Sequence, residues 1–268
     1  MEINKTISVI LPLKTSTAYD FKDFFDRSIK SVQYQKEHVN ELIIVYCNET
    51  DLKTFLENYD FEELNVNLIE WTETPSFAKQ VNYGSELSKS EWCSVLEFDD
   101  EYSNIWFKNA KKYMDIYKDI DVFLPIVVDV DEKSVFAGFT NEATFAVNIS
   151  SEIGMLNNET LQNFQNFQFS GCLFKSKTFL KYGGLKSNIK LTFNYELFLR
   201  LTQNSVKIMS IPKVGYKHMN LRVGSIFWNY KNGSEKVDQE EATFWIDTAK
   251  KECFFNIDRE INYEPENV

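Results

Sequence analysis

Glycine and proline are scarce in this chain of 268 residues, 9 and 5 in number, and neither forms clusters. Collagen-like repeats, low-complexity linkers and loop-dominated scaffolds are thereby excluded. Histidine is rarer still, with only His38 and His218, far apart. The four cysteines, Cys47, Cys93, Cys172 and Cys253, are scattered without a CxxC pair. A structural zinc site needs about four Cys or His ligands at short spacings, so none is expected. Reduced, buried thiols in a cytoplasmic protein are expected instead. No apolar run reaches the roughly 18 residues of a membrane span. The run Ile7 to Leu13 is broken by Ser8 and Pro12 and lacks a signal-peptide cleavage pattern, so no transmembrane segment is expected. Basic residues are in deficit, 29 Lys and Arg against 40 Asp and Glu, giving a net charge of -11. A broad nucleic-acid surface draws on many Lys and Arg contacts to phosphate and is not expected. No GxGxxG turn follows a strand, which argues against a dinucleotide-dependent dehydrogenase.

Aromatic residues are abundant, at 15% with 23 Phe and 13 Tyr, within a hydrophobic fraction of 43%. That supplies a sizeable core and excludes wholesale disorder. Short β-branched runs alternate with amphipathic segments. Ile7–Leu13 predicts a buried strand, and Phe21, Phe24, Phe25, Ser28, Ile29 and Val32 recur at helical spacing. ELIIVYC at 41–47, Val66–Trp71 and Cys93–Phe98 predict three more strands. Helices between and after them are predicted to start at Thr50, Ser76 and Ser103 or Asn104. Four strand–helix units in a row imply an α/β fold with a mostly parallel, doubly wound sheet. Ligands of such sheets sit at the carboxyl ends of the strands, here 12–17, 46–51, 71–75 and 97–101.

The second half is mixed. Val122–Val130 and Ser134–Phe139 read as a hairpin, and 141–166 as a polar, aperiodic loop or lid. Phe169–Phe174 and Val206–Ile211 read as strands, Asn194–Leu201 as a helix and Gln239–Glu252 as a C-terminal helix. Its acidic polar face argues for docking on the protein rather than on a membrane.

The strongest chemical signal is VLEFDDE at 95–101, four acidic residues at the end of an apolar strand. Strand periodicity puts Glu97 and Asp99 on one face. Paired carboxylates repel unless a cation or proton compensates, and a divalent metal bound to a diphosphate is a natural partner. A solvated strand-end loop is the plainer alternative. Asp129 and Asp131 form a second acidic pair, in hairpin rather than strand–helix surroundings.

These segments resemble the nucleotide-sugar-dependent glycosyltransferases of family 2, which have the GT-A fold. The family's opening SVIIPxYN strand corresponds to Ser8-Val9-Ile10-Leu11-Pro12-Leu13. Its EIIVVDDGSTD strand corresponds to 41–51, its ARNxG-like turn to Ala78–Gly84, and its LDxDD motif to Leu96-Glu97-Phe98-Asp99-Asp100. A Gly-containing strand at 169–174, IGGF at Tyr182-Gly183-Gly184-Leu185, the EDxxLxLRL helix at 193–201 and a late His/Arg/Ser segment at 216–225 follow in order.

The resemblance implies a GT-A-like domain over 1–226, with a nucleotide-binding half at 1–120, an acceptor-side half at 121–226 and a helical extension at 227–268. It implies inverting transfer of a sugar from a nucleoside diphosphate sugar to the hydroxyl of a glycan, lipid-linked or other acceptor, assisted by Mn2+ or Mg2+. Asp99, Glu97 and His218 would hold the metal. Pro12, Leu13, Tyr46, Lys79, Asp100, Gly171 and Arg222 would face the donor. Two departures stand out. The family's nucleobase-contacting acid falls on Tyr46 or Cys47, where Tyr46 could stack instead. Its catalytic Asp falls on Asn194, which cannot accept a proton at neutral pH, leaving Glu196 as the nearby carboxylate. A catalytically inactive nucleotide-sugar binder is the alternative these departures suggest.

Overall fold

The computed structural model describes residues 5–15, 20–220, 222–233 and 235–264. The four apolar runs of the first half form β1 (Ile7–Leu13), β2 (Glu41–Cys47), β3 (Val66–Trp71) and β4 (Trp92–Val95). They pair in parallel in the order β3-β2-β1-β4. Every residue of β1, β2 and β4 is buried, as helices on both faces require of a parallel sheet. The polar members of these strands satisfy one another: Ser8 donates to Glu41 at 2.6 Å, and Asn67 donates to it at 2.9 Å. Helices α1 (Phe21–Gln33), α2 (Thr50–Asn58), α3 (Phe77–Leu87) and α4 (Trp106–Ile116) connect or follow these strands. The predicted apolar stripe of α1 is buried throughout. Ser76 caps α3, accepting from the Lys79 N–H. Thr50 is the first residue of α2 and not its cap, a position taken by Glu49.

Beyond β4 the sheet becomes mixed. β5 (Glu101–Tyr102), β6 (Val122–Val130), β7 (Phe136–Thr140), β8 (Met155–Leu156), β9 (Leu173–Lys175) and β10 (Ile208–Met219) complete ten strands among the described residues. β9 runs antiparallel between β4 and β6, and β10 lies parallel to β6. The predicted hairpin is present as β6–β7. β10 is twice as long as the periodicity suggested, because the strand continues past Pro212. Pro212 to Val214 are exposed, and the pairing with β6 shifts register there, so the missing proline N–H costs no ladder bond. This continuation carries Tyr216 and His218 to the carboxyl edge of the sheet.

The segment 141–166, expected to be an aperiodic loop or lid, carries short defined elements. Asn141 is fully buried and joins the Pro125 and Gln168 backbones through three hydrogen bonds of 2.9–3.2 Å. β8 pairs with β10, and α5 (Asn158–Asn163) is capped by Asn157 and buries Thr160 and Leu161. Elements this short, fixed by side-chain caps, leave no periodic signal in sequence.

α6 (Ser176–Lys181), α7 (Phe193–Gln203), α8 (Ile226–Asn232) and α9 (Gln239–Glu252) are the remaining α-helices among the described residues. α9 lies against α7, and the Thr192 hydroxyl donates to the Trp245 carbonyl at 2.7 Å. Trp245 is 4% exposed, with its indole N–H donating to Glu241. Trp245→Ala should therefore destabilise the protein by ~3–5 kcal/mol. A melting curve within a degree or so of the parent's would contradict this packing.

Candidate active site

The carboxyl ends of β1, β2 and β4, the start of α3, and the far end of β10 meet at one edge. β4 stops at Val95. The Leu96 N–H still donates to the Ile10 carbonyl at 2.9 Å, and the Glu97 N–H then donates to the Tyr216 hydroxyl at 3.0 Å. A turn follows, closed by the Asp100 N–H on the Glu97 carbonyl at 3.1 Å. Strand periodicity does not apply across such a turn. Glu97 and Asp99 are consequently not twins on one face, and the acidic group reorganises.

Glu97, Asp100 and His218 come together, each offering a ligand atom within 4.8 Å of the others. The Asp100 carboxylate is fixed from two sides, by His218 Nδ1 at 3.0 Å and by the Met219 N–H at 2.8 Å. Ser170 donates to Glu97 at 2.6 Å. Asp99 turns elsewhere: Arg222 Nε donates to its Oδ2 at 2.5 Å. Of the expected metal set, the structure brings Glu97 and His218 together, with Asp100 beside them, while Asp99 lies apart on Arg222. Asp100, expected against the donor, stands with the carboxylate and imidazole that could hold a metal.

Burial and mutual charge perturb Glu97, Asp99 and His218. Burial, followed by the charge of Asp100, pushes Glu97 up to about 7. Burial and Asp100 also raise Asp99, against the opposing pull of Arg222. Burial disfavours charge on His218, but the charge and hydrogen bond of Asp100, with Glu97 and Asp99, outweigh it and raise the imidazole to about 10. A carboxylate on one nitrogen of His218 leaves the other nitrogen as a ligand, the arrangement that orients metal-binding histidines. The donor set of two carboxylates and an imidazole suits Mn2+ or Mg2+. Metal binding requires an ionised Glu97 and a neutral His218, so affinity rises with pH. Mn2+ binding should weaken at least about tenfold on going from about pH 8 to about pH 6. A pH-independent dissociation constant would contradict the ligand set.

Asp129 approaches this group from β6, in register with His218. It is 9% exposed, accepts from Thr140 at 2.6 Å, and is raised by burial. Asp131 is a turn residue, accepting from the Lys133 and Val135 N–H groups at 2.9 and 2.8 Å.

Other expected donor contacts fare unevenly. The side chains of Leu13 and Tyr46 are buried in the core against α1 and α2, and Pro12 is buried with them. Tyr46 therefore does not present a ring for stacking. The Leu13 carbonyl is taken by Gln80, which bridges it to the Val45 carbonyl at 3.0 and 2.7 Å. The first loop was expected at the ligand edge over 12–17, and its residues 16 and 17 lie outside the described residues. The Lys79 side chain is half exposed beside Glu73. Gly171 has φ 80°, and a Cβ there would meet the Tyr216 ring at 2.5 Å. The glycine accommodates Tyr216, whose hydroxyl fixes Glu97, and so serves the site at one remove.

Glu196, expected as the base, lies in the interior. It is fully buried in α7, with Arg200 donating to both its oxygens at 2.8 Å and Lys186 Nζ 3.0 Å from Oε1. A carboxylate held this way does not reach an acceptor hydroxyl. Asn194 occupies the first turn of α7. The neighbouring Phe193 contacts both Phe77 at the start of α3 and Phe227 of α8, with centroids 5.8 and 6.0 Å apart.

Sequence reasoning missed Ser170 and Tyr216 as supports of Glu97. Both lie in segments that carried the family resemblance, but only their side-chain contacts reveal the role.

The curled, mixed sheet and this edge define a GT-A-like fold. Among solved structures, S. aureus TarS 1–349 in complex with UDP-GlcNAc shares it at a TM-score of 0.66 and 17% identity, covering 92% of this chain and 66% of that one. A mannosyltransferase, PcManGT from Pyrobaculum calidifontis in complex with GDP-Man and Mn2+, shares it at 0.57 and 16%, covering 83% and 59%. This chain thus spans about two thirds or less of the length of these two proteins. No protein-family model matches the sequence, and no characterised protein was found by sequence comparison. Among the described residues no helix is long and apolar enough to cross a membrane.

Proposed function

We propose that this protein is a glycosyltransferase that moves a sugar from a nucleoside diphosphate sugar to an acceptor hydroxyl, with inversion and a divalent metal. The observation that carries the reading is the Glu97–Asp100–His218 cluster at the carboxyl edge of a GT-A-like sheet. The structural neighbours support the substrate class, since they were solved with UDP-GlcNAc and with GDP-Man and Mn2+. Glu97, Asp100 and His218 would hold the metal, which neutralises charge building on a diphosphate leaving group. Lys79 and Arg222 are cations suited to phosphate oxygens. Ser170 and Tyr216 keep Glu97 in place. The division at about residue 226 belongs to the same reading, with α9 as a fixed extension on the catalytic domain.

A second reading is a nucleotide-sugar binder without transfer activity. Asn194 at the start of α7 and the sequestered Glu196 favour it, because neither can take a proton from an acceptor. A thermal-shift panel of UDP and GDP sugars, with Mn2+ and with EDTA, tests what both readings share. A ligand that binds the folded state at about 100 times its Kd adds roughly 2.7 kcal/mol of stability. One nucleotide class should raise the melting temperature only with metal. No shift with any nucleotide sugar would overturn both readings, and donor consumption on adding acceptors separates them.

A further inference from the structure

Asp99 and Arg222 are nearly sealed from solvent, at 9% and 7% exposure, and paired at 2.5 Å. The Arg222 guanidinium also lies over the Phe98 ring, 4.8 Å from its centroid, and Nη1 donates to the Val223 carbonyl at 3.0 Å. A protein cation therefore sits inside the acidic turn beside the cluster suited to a metal. The segment that carries it is lightly held. Among the described residues its ties include the Val223 N–H on Glu132 at 2.7 Å, the Phe227–Phe193 contact and Lys190 Nζ over the Tyr230 ring, 5.1 Å from its centroid. α8 has no buried residue. Gly224 has φ 82° with open space where a side chain would project. Arg222 can leave Asp99 without dismantling a core.

We propose that Arg222 is an internal counter-cation that holds Asp99 until a diphosphate draws the guanidinium away, after which Asp99 joins Glu97, Asp100 and His218 around the metal. A guanidinium pairs well with either carboxylate or phosphate, and a diphosphate brings more negative charge than one carboxylate. The exchange makes metal and diphosphate each strengthen the binding of the other, as linkage demands. The identity of the diphosphate as part of a nucleotide sugar rests on the proposed function; the exchange itself does not.

Two titrations test it on the full chain without any nucleotide sugar. The first measures Mn2+ alone, from the paramagnetic resonance signal of the free ion. Arg222→Gln removes a positive charge next to the site and should bind Mn2+ about tenfold more tightly than the parent. Arg222→Lys keeps the charge and should restore the parent affinity. The second measures inorganic pyrophosphate by calorimetry in EDTA. Asp99→Asn releases Arg222 and should bind pyrophosphate more tightly than the parent, whereas Arg222→Gln should bind it less tightly. Should Arg222→Gln fail to fold, the Asp99→Asn arm decides alone. Unchanged or weaker Mn2+ binding by a folded Arg222→Gln, or pyrophosphate binding by Asp99→Asn no tighter than the parent's, overturns the proposal. Neither arm needs sugar transfer, so loss of the glycosyltransferase reading would leave both results interpretable.

Discussion

Glu196→Gln is expected to lower the melting temperature and not to act as a selective catalytic lesion. Glu196 sits at the centre of a buried ionic network. Arg200, also fully buried, donates to both its oxygens, and donates as well to the Tyr182 and Gly184 carbonyls. Lys186 bridges to α9, donating to the Glu252 carbonyl at 2.7 Å. Arg259 then pairs with the Glu252 carboxylate. The network thus ties α7, the Gly183–Gly184 turn, α9 and the chain after it into one unit. Gly183 belongs to the same junction, since a Cβ there would lie 1.9 Å from the Asn256 carbonyl oxygen. Removing one partner leaves an uncompensated buried charge, which costs ~3–5 kcal/mol. At 2–4 °C per kcal/mol for chains of about this size, Arg200→Ala and Glu196→Gln should melt roughly 10 °C lower. A Glu196→Gln protein that melts like the parent but has lost sugar transfer would restore Glu196 as the base.

Asp100→Asn should produce the largest loss of metal binding. The substitution removes a carboxylate from the cluster and the partner that orients His218 through Nδ1. Outer-sphere partners of a metal ligand alone are worth 10–100-fold in affinity, so loss of a group in both roles should exceed about a hundredfold. The near-isosteric amide keeps an acceptor for the Met219 N–H, so the fold should survive. Mn2+ titration with a melting curve checks both halves. Parent-like Mn2+ affinity in Asp100→Asn would remove the cluster from the account and turn attention to Asp129.

The first half of the fold was legible because parallel strands buried on both faces write themselves as continuous apolar runs. The predicted ends of β1 and β2 coincide with those observed, as do those of α9. Legibility failed where tertiary contacts override periodicity. β4 was expected to run to Phe98, but the Tyr216 hydroxyl takes the Glu97 N–H and the chain turns. That one contact, from a residue 119 positions away, is why Asp100 and not Asp99 meets His218. β10 appeared to stop at Ile211 because a proline usually ends a ladder, and its outward bulge has no sequence signature. Glu196 looked like a free helix-start carboxylate because its partners Lys186 and Arg200 are separated from it by a turn and by one helical repeat. The acidic motif was visible as composition, but the choice among its carboxylates is a property of the folded turn.

The most direct test of the central claim is a calorimetric titration of UDP and GDP into the full chain with Mn2+, repeated in EDTA and with Asp100→Asn. The account predicts that one nucleoside diphosphate binds with Mn2+, that EDTA abolishes the heat, and that Asp100→Asn behaves with Mn2+ as the parent does in EDTA. Equal affinity with and without metal, or no binding of either nucleotide by a folded parent protein, would contradict it.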